Sequence, residues 1–328
     1  MRLAADHVRV RVPATSANLG PGFDALGLAL ALYDDVEVRA VSDAGAAVEV
    51  TGEGAGSASG EGGVPRDEGH LVVQALRAGL DHVGASQVGL RLVCHNRIPH
   101  GRGLGSSAAA VVAGLLAARA LIAEPAALDD ETVLRLATAM EGHPDNAAPA
   151  VLGGATIAWC DEAGAHAVRI PVHADLAPVA IVPPHTLSTR TARGVLPAQV
   201  PHADAAFAAG RSALLVEALG RRLDLLLPAT EDRLHQEYRR AVMPASLALV
   251  GALRRAGVAA VVSGAGPTVL ALARRTGPRP AAPDDAAFGT DADEAVAAAF
   301  GGVMAGWIVL PLAVAEHGAA VERLPAGH

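Results

Sequence analysis

Apolar and polar residues alternate along several short stretches of the chain. Residues 7–13 (HVRVRVP) and 88–94 (VGLRLVC) have this pattern most clearly. A period of two predicts strands with one buried face. Residues 71–82 instead repeat their leucines and alanines at the spacing of one helix face, which predicts an amphipathic helix.

Longer apolar stretches predict the rest of the elements. Residues 108–122 are apolar around the whole circumference, which indicates a buried helix with Ser106 and Ser107 at its start. We expect further helices at residues 131–140, 204–227, 231–241, 245–255 and 294–300, and strands at 26–32, 35–41, 152–159, 177–182, 258–262, 269–273 and 307–314. The strands at 258–262 and 269–273 flank a glycine turn and form a predicted hairpin. Strands and helices interleave without a strict βαβ repeat, so we predict an α+β fold.

Length and composition favour two domains. The chain has 328 residues, 51% of them hydrophobic, which is enough for two cores of ordinary size. The composition shifts near residues 161–164, so we predict an N-terminal domain over residues 1–164 and a C-terminal domain over residues 165–328. Two stretches without periodicity, at 52–69 and 277–293, predict surface loops.

The charge pattern argues against nucleic acids and membranes as partners. The net charge is -8 at pH 7 and the 26 basic residues are spread along the chain, so no basic footprint for nucleic acid is present. The N-terminus lacks an apolar signal segment, and the uncharged stretch at 103–118 is too short for a bilayer. Cys94 and Cys160 lie in apolar contexts, so we expect two buried thiols in a cytoplasmic protein.

All 26 basic residues are arginines, because the chain contains no lysine. Schiff-base chemistry and pyridoxal phosphate attachment need a lysine amine and are therefore ruled out. The Walker-type phosphate loop is ruled out as well, because its lysine reaches the phosphates. Any bound anion must be held by backbone N–H groups, by arginine or through a metal ion.

One glycine-rich loop has the properties of an anion site. It connects a predicted strand to the predicted buried helix and consists of Pro99, His100, Gly101, Arg102, Gly103, Leu104, Gly105, Ser106 and Ser107. Glycines let the backbone approach an anion closely, and the free N–H groups of a helix start attract negative charge. Ser107 can also offer a hydroxyl to a phosphate-bridging Mg²⁺ ion, with Glu141 as the candidate carboxylate partner. The alternative is a tight turn in which a serine N-caps the helix.

Three segments occur in order along the chain: PATSANLGPGFDALGLAL at 13–30, PHGRGLGSSAA at 99–109 and VSGAGPTVLAL at 262–272. Together they resemble the three signature motifs of the GHMP kinases, a family that phosphorylates small metabolites from ATP. Three further segments resemble the members of that family that act on L-homoserine: EGHPDNAAPAVLGG at 141–154, STRTARGVLP at 188–197 and LHQEYR at 234–239. Ordered motifs that span nearly the whole chain are far more specific than a single glycine loop.

The resemblance implies a fold and a reaction. The fold would be α+β, with a ribosomal-S5-like N-terminal domain, a ferredoxin-like C-terminal domain and the active site in the cleft between them. The reaction would be the ATP-dependent phosphorylation of the side-chain hydroxyl of L-homoserine to O-phospho-L-homoserine, in threonine biosynthesis, with Mg²⁺ on the phosphates. Relatives often form dimers, so a homodimer is a further expectation.

The resemblance also implies roles for residues of the matching motifs. Backbone N–H groups of residues 102–107 would bind the ATP phosphates, and Ser107 and Glu141 would bind Mg²⁺. The third motif would add a loop formed by Ser263, Gly264, Ala265, Gly266 and Thr268. The planar fork of arginine suits a carboxylate, and Arg193 and Arg239 are the implied partners of the substrate carboxylate.

Asn18 and Asp24, in the NLGPGFD turn, would bind the substrate ammonium and orient its hydroxyl. Without the family resemblance, the alternative for both is an Asx-turn that stabilises the loop. Arg190 and Arg233 lie close in sequence to the two chosen arginines and are the alternatives to them. His70, in GHLVV, stands where the family commonly has asparagine in its nucleotide-binding segment.

Asn146 bears on the fate of the hydroxyl proton. We predict Asn146, Asp24 and Glu141 as catalytic residues, yet an amide cannot accept a proton at neutral pH. The reaction would then depend on positioning, on Mg²⁺ and on loss of the proton toward the γ-phosphate. Asp145 and His143 are alternative bases, although we expect Asp145 to order the loop and His143 to contact substrate or the Glu141 region.

Three other functions stay open at this point. The first is a kinase of the same family for another small alcohol, such as a mevalonate derivative or a sugar; the arginines of STRTAR and HQEYR and the asparagine at 146 favour an amino acid instead. The second is a serine hydrolase using Ser107, His143 and Asp145, but the sequence has no GxSxG segment. The third is a non-catalytic nucleotide-binding regulator.

Overall fold

The computed structural model describes residues 1–56, 63–277, 288–300 and 305–325. This part of the chain forms two β-sheets with helices packed against them, so the predicted α+β class is confirmed. The strands are β1 (His7–Ala17), β2 (Leu26–Val41), β3 (Ala46–Gly52), β4 (Gly89–Asn96), β5 (Ala155–Asp161), β6 (Gly164–Ile170), β7 (Leu176–Val182), β8 (Ala259–Val262), β9 (Val269–Arg274), β10 (Ile308–Pro311) and β11 (Ala320–Arg323). The α-helices are α1 (Leu71–His82), α2 (Ser106–Leu121), α3 (Asp130–Glu141), α4 (Ala147–Leu152), α5 (Thr189–Gly194), α6 (His202–Gly220), α7 (Leu226–Ala229), α8 (Pro244–Arg255) and α9 (Asp293–Phe300).

The larger sheet is built on a long hairpin. Among the described residues it has seven strands, in the order β11-β1-β2-β4-β3, with β5 paired to β2 and β6 paired to β5. All pairs are antiparallel except β3 with β4. β1 pairs with β2 from His7 opposite Arg39 to Ala17 opposite Gly27. The hairpin therefore presents the turn of the first motif at one end of the sheet.

The smaller sheet has the order β10-β7-β9-β8 and is antiparallel throughout. β8 and β9 form the predicted hairpin, in which Val262 lies opposite Val269. The turn between them is the glycine segment of the third motif. α8 packs on this sheet around a second hydrophobic core that includes Leu249 and Leu253.

α2 occupies the centre of the larger core. Twelve of its sixteen residues are buried, because the helix packs between α1, α3 and β1. Small residues allow this close packing: a Cβ at Gly114 would overlap the carbonyl oxygen of Val72 in α1. The prediction of a buried helix is confirmed, and packing on several sides holds α2 in place.

Two strands bear on the division of the chain. β6 continues the larger sheet beyond residue 164, and β11 brings a segment from near the C-terminus to pair with β1. The larger sheet thus contains residues from both sides of the predicted division. As a statement about domains, the boundary at residue 164 stays a prediction.

The helix predicted at 231–241 is wrong. The segment instead forms a loop with one 3₁₀ turn, Glu237–Arg239. The buried carboxylate of Asp232 accepts hydrogen bonds from three successive backbone N–H groups, those of Leu234, His235 and Gln236. An aspartate that bonds nearby N–H groups competes with the helical hydrogen bonds of its own segment.

The structure also differs from the predictions in where some helices and strands end and in the exposure of one cysteine. The helix predicted to reach residue 227 ends at Gly220, and the strands expected at 26–32 and 35–41 form the single strand β2. Cys94 is buried as expected, whereas Cys160 is exposed because it lies toward the exposed end of β5. Residues 57–62 and 278–287, which belong to the two predicted loops, lie outside the described residues. In the described ranges, each helix is too short or too polar to cross a bilayer.

Candidate active site

The glycine loop leads from β4 to the first turn of α2. Gly105 is the N-cap, with φ 71°, and no side chain caps the turn. Ser106 and Ser107 are the first residues inside the helix, so the alternative of a serine N-cap is wrong. The first N–H groups of a 16-residue helix are therefore left without a side-chain partner at a cavity, where the helix dipole favours an anion.

Two glycines of this loop touch other segments too closely for any side chain. A Cβ at Gly105 would overlap Oγ1 of Thr15, and a Cβ at Gly103 would overlap the carbonyl oxygens of Ser263 and Gly266. Both glycines also have positive φ, 71° and 77°. Glycine alone combines this conformation with so close an approach.

The turn between β8 and β9 braces the loop. The hydroxyl of Ser263 donates to the carbonyl oxygen of Gly103 at 2.6 Å and lies 2.8 Å from Oγ of Ser16. The backbone N–H of Thr268 donates to the carbonyl oxygen of Arg102 at 3.2 Å. The three motifs that resemble the family signatures therefore meet, and the third fixes the shape of the second.

Ser107 and Glu141 form a pair of oxygen donors beside the helix start. Glu141 is the last residue of α3, and the Ser107 hydroxyl donates to its Oε1 at 2.5 Å. Burial raises the pKa of Glu141, while the hydrogen bond from Ser107 lowers it. In the part of the chain that the structure describes, no three His, Cys, Asp or Glu side chains converge as a metal site. One hydroxyl and one carboxylate suit Mg²⁺, which usually completes its oxygen shell with substrate phosphates.

A buried carboxylate orders the loop after α3. Asp145 is 1% exposed and accepts hydrogen bonds from Nδ1 of His143 at 2.6 Å and from Nδ2 of Asn146 at 3.3 Å. Thr15 Oγ1 donates to Oδ1 of Asn146 at 2.9 Å. The hydrogen bond to Asp145 raises the pKa of His143. These contacts fix the orientation of the Asn146 amide at the cavity.

The turn between β1 and β2 holds two polar residues in the left-handed conformation. Asn18 has φ 69° and Asp24 has φ 56°, which is uncommon for residues with a side chain and is retained where the surroundings enforce it. Nδ2 of Asn18 donates to the carbonyl oxygen of Gly264 at 2.8 Å, and its Oδ1 accepts the N–H of Asp24 at 3.0 Å. Asn18 therefore stabilises the turn and connects the first motif to the third.

Asp24 is paired with Arg193, at the end of α5. The guanidinium donates two hydrogen bonds, from Nη2 to Oδ1 at 2.5 Å and from Nη1 to Oδ2 at 3.1 Å. The ring of Phe23 lies 5.5 Å from the same guanidinium. The hydrogen bonds to Asp24 raise the pKa of Arg193. The residue predicted for the ammonium and one predicted for the carboxylate are thus bonded to each other.

Arg239 is the largest fully buried side chain of the described residues, 1% exposed. Its Nε donates to the carbonyl oxygen of Ala192 at 3.1 Å, and its Nη1 donates to Nδ1 of His235 at 2.6 Å. His235 donates in turn from Nε2 to the carbonyl oxygen of Gly20 at 2.7 Å. Burial lowers the pKa of Arg239 to about 10. A buried cation whose hydrogen bonds end on neutral groups favours an anion nearby.

These features surround one cavity of about 270 Å³. The predicted site residues that line it are Asn18, Gly101, Gly103, Gly105, Ser106, Ser107, Glu141, His143, Asn146, Arg193, Arg239, Gly264, Ala265 and Gly266. Asp145, weighed as a base, also lines it, together with Met140, Leu187 and Thr189, which the sequence did not single out. Thr189 does lie in the segment 188–197 that resembles the family, whereas the sequence around Met140 and Leu187 carries no comparable signal.

Some predicted residues lie outside this cavity: Pro99, His100, Arg102, Leu104, Asp24, Ser263 and Thr268. Leu104 is fully buried. Arg102 turns away and donates to Oε2 of Glu53 and to the carbonyl oxygen of Pro184, each at 3.2 Å. The loop therefore offers the cavity its backbone and not the Arg102 guanidinium. Ser263 and Thr268 instead hold the glycine loop in place through their hydrogen bonds to Gly103 and Arg102.

A second cavity of about 200 Å³ adjoins the first at Ser106 and Ser107. It lies between the starts of α1 and α2, and its lining is mainly apolar, with His70, His100, Asp34 and Asn96 as its polar side chains. The only sequence signal for this cavity is the histidine at position 70, where the family commonly has asparagine.

Two titratable groups of the second cavity are held by backbone contacts. Nδ1 of His70 accepts the N–H of Val72 at 3.3 Å and caps α1, and burial lowers the pKa of His70 to about 4. Asp34 accepts the N–H groups of Arg97 and Ile98 at 2.6 and 2.9 Å, and burial raises the pKa of Asp34 to about 6. His70 is therefore neutral near pH 7, with its remaining proton on Nε2.

Both halves of the chain are similar to proteins of one known family. The model of the GHMP kinases N terminal domain matches residues 70–154, and the GHMP kinases C terminal model matches residues 205–288. The homoserine kinase of Streptomyces coelicolor is 60% identical over 267 residues, 81% of this chain and 84% of that protein. That of Clavibacter michiganensis subsp. michiganensis is 55% identical over 272 residues, with coverage of 83% and 84%. The crystal structure of homoserine kinase from Cytophaga hutchinsonii has a TM-score of 0.77 at 26% identity, covering 97% of this chain and 98% of that one.

Proposed function

Because this chain belongs to the homoserine kinases of the GHMP kinase family, we propose that its cleft transfers the γ-phosphoryl group of ATP to the side-chain hydroxyl of L-homoserine. The observation that carries the proposal is a single cavity that joins an uncapped helix start, a hydroxyl–carboxylate pair and two arginines. The product is O-phospho-L-homoserine, an intermediate of threonine biosynthesis.

The triphosphate lies against the start of α2 in this proposal. The backbone N–H groups of the first turn and of the glycine loop donate to its oxygens, and the helix dipole favours its charge. Ser107 and Glu141 would hold Mg²⁺, which would supply charge neutralisation for the phosphates. A site built from backbone groups and a metal needs no lysine, in keeping with the composition of the chain.

We place the nucleobase in the second cavity. That cavity shares Ser106 and Ser107 with the phosphate site, so one nucleotide can extend from one to the other. Its apolar walls suit the faces of a heterocycle, and a few polar groups at its edge can fix the orientation of the ring. His70 offers an N–H donor there, in the position where asparagine is common in the family.

The acceptor occupies the opposite end of the cleft. Its carboxylate binds Arg193 and Arg239, of which Arg239 is already buried beside neutral partners. Its ammonium binds Asp24, with Asn18 beside it on the same turn. These contacts direct the γ-hydroxyl toward the phosphate end of the cavity.

Catalysis depends on alignment and on charge neutralisation. The hydroxyl oxygen forms the new bond to the γ-phosphorus while the bond to the bridging β,γ-oxygen breaks, and ADP leaves. Asn146 is held by Thr15 and Asp145 and orients the hydroxyl. The hydroxyl proton passes toward an oxygen of the transferred phosphoryl group, since an amide does not accept it.

A coupled assay of ADP release tests the proposal. MgATP is supplied with L-homoserine, L-serine, L-threonine, mevalonate or galactose, each alone, and the product is identified by ³¹P NMR. We expect turnover largely confined to L-homoserine, with a phosphate ester on its side-chain oxygen. Turnover of mevalonate or a sugar would overturn the acceptor assignment, and ATP binding without turnover of any acceptor would favour a nucleotide-binding regulator.

A further inference from the structure

The ion pair between Asp24 and Arg193 joins two distant parts of the chain. Asp24 lies in the turn between β1 and β2, Arg193 lies in α5, and the sequence separation is 169 residues. The contact is bidentate, the geometry in which guanidinium and carboxylate match best. Both side chains are about one-third exposed, 37% for Asp24 and 35% for Arg193, so a ligand can reach them.

The surroundings of the ion pair make separation of Asp24 and Arg193 unfavourable in free energy. The ring of Phe23 lies against Arg193 on one side and against Arg239 at 5.9 Å. Asp24 is held at positive φ, and its N–H is bonded to Asn18, so its backbone is fixed while its carboxylate faces Arg193. If either charge lost its partner, it would keep its partly desolvated position without compensation.

From this geometry we infer that the Asp24–Arg193 pair is an internal substitute for the acceptor, which an incoming ligand opens by supplying an ammonium group to Asp24. The inference rests on the proposed function and goes beyond it. It explains why the site would select acceptors with an ammonium group: only such an acceptor can replace Arg193 at Asp24 when the ion pair breaks. An α-ammonium replaces the guanidinium at Asp24, and the released Arg193 binds the substrate carboxylate. A ligand that has the carboxylate but no ammonium would free Arg193 only by leaving Asp24 unpaired.

Substitution of Asp24 should change which acceptor the site prefers. In Asp24→Asn the pair no longer exists, so Arg193 is free and no carboxylate is left unpaired. The variant is therefore expected to lose activity toward L-homoserine but to gain activity toward 4-hydroxybutanoate, which is homoserine without its amino group. A residue that merely stabilises the turn would give a parallel loss for both acceptors.

The experiment measures kcat/KM for L-homoserine and 4-hydroxybutanoate with saturating MgATP. We expect the wild type to prefer L-homoserine by about 100-fold or more, consistent with an unpaired, partly desolvated charge in the alternative complex. In Asp24→Asn we expect a loss of about 100-fold for L-homoserine and a rise of about 10-fold for 4-hydroxybutanoate. Asp224→Asn is the matched control, because Asp224 makes a bidentate pair with Arg222 on the exposed surface, and it should change neither value.

The reciprocal variant keeps the test decisive if Asp24→Asn is unstable. Arg193→Gln leaves Asp24 free, so it should use 3-aminopropan-1-ol, which is homoserine without its carboxylate, better than the wild type does. Equal losses for the complete and the truncated acceptors in both variants would overturn the inference. A wild type that phosphorylates no homoserine at all would instead contradict the proposed function, so the two failures are distinguishable.

Discussion

The two ends of the cleft are built by different means. The proposed phosphate end consists mainly of backbone, namely positive-φ glycines and an uncapped helix start. The side chains of Ser107 and Glu141 lie beside it, and the turn between β8 and β9 braces it. The acceptor end consists of charged side chains, of which Arg193 is bound to Asp24 and Arg239 is buried among neutral groups. In our proposals the first end needs no rearrangement to bind the phosphates, whereas the second exchanges the hydrogen bonds between Asp24 and Arg193 when the acceptor binds.

This difference follows from what each ligand requires. Phosphate oxygens accept hydrogen bonds from any well-placed N–H group, so a rigid backbone is sufficient and loses little entropy on binding. An amino acid carries two opposite charges, and a partly buried site for it must contain both complements. In the absence of the acceptor, Asp24 and Arg193 neutralise each other, so the folded protein does not contain two unpaired charges at this position.

The largest effect is expected for Glu141→Gln. The substitution removes the carboxylate that completes the proposed Mg²⁺ site with Ser107, so we predict a fall in kcat of about 10³-fold, the scale of a lost metal contact. The Mg²⁺ concentration for half-maximal activity should rise. Glu49→Gln, on the exposed face of β3, is the control. Wild-type Mg²⁺ dependence in the Glu141 variant would contradict the assignment.

Gly105→Ala tests the rigidity of the phosphate end. The new Cβ overlaps Thr15 Oγ1 and displaces the start of α2, so kcat/KM for ATP should fall by about 10²-fold. Gly84→Ala is matched to it, since Gly84 has φ 61° but open space around its Cβ position. If the two variants behave alike, backbone strain and not close packing at the phosphate loop explains the loss.

Arg193→Gln should affect only the acceptor end. We predict a rise in KM for L-homoserine of about 30-fold, the scale of a charged hydrogen bond, with KM for ATP unchanged. Arg190→Gln, on the same short helix but outside the cavity lining, is the control and tests the alternative assignment. A larger effect at Arg190 would transfer the carboxylate to that residue.

His143→Gln distinguishes a positioning residue from a base. Direct loss of the proton toward the phosphate predicts a fall in kcat of less than about 10-fold, because only the contact with Asp145 changes. A general base would give a fall of about 10²-fold to 10⁴-fold and would abolish one limb of the pH profile. The size of the loss, measured with saturating substrates, therefore decides between the two.

The smallest effect concerns pH. Burial raises the pKa of Glu141 above its usual 4.5, and Mg²⁺ binding needs the carboxylate form. Activity is therefore present above that pKa and is lost as the pH falls through it. Ser107→Ala removes the hydrogen bond that lowers this pKa, so the acidic limb of kcat/KM should move to higher pH. A limb that stays in place or moves to lower pH would contradict the pairing.

The local structure of the glycine loop and of the helix after it could be predicted from the sequence, whereas the pairing of Asp24 with Arg193 could not, for a physical reason. Glycines at 103 and 105 and the apolar helix after them report local conformation, which is written in adjacent residues. The pairing of Asp24 with Arg193 joins residues 169 positions apart and depends on tertiary packing. The wrong helix at 231–241 has a different and local origin. Asp232 accepts the N–H groups of His235 and Gln236, which competes with the helical hydrogen bonds of the segment, and the apolar periodicity does not register this competition. A homodimer and a cytoplasmic location stay predictions.

The most direct test of the contrast between the two ends is calorimetric measurement of the dissociation constants of MgADP and of L-homoserine for Ser107→Ala and Arg193→Gln. We expect weaker MgADP binding only in Ser107→Ala and weaker L-homoserine binding only in Arg193→Gln. If each substitution weakens both ligands equally, the two ends are not independent, and the division of the cleft into a preformed half and an exchanging half is contradicted.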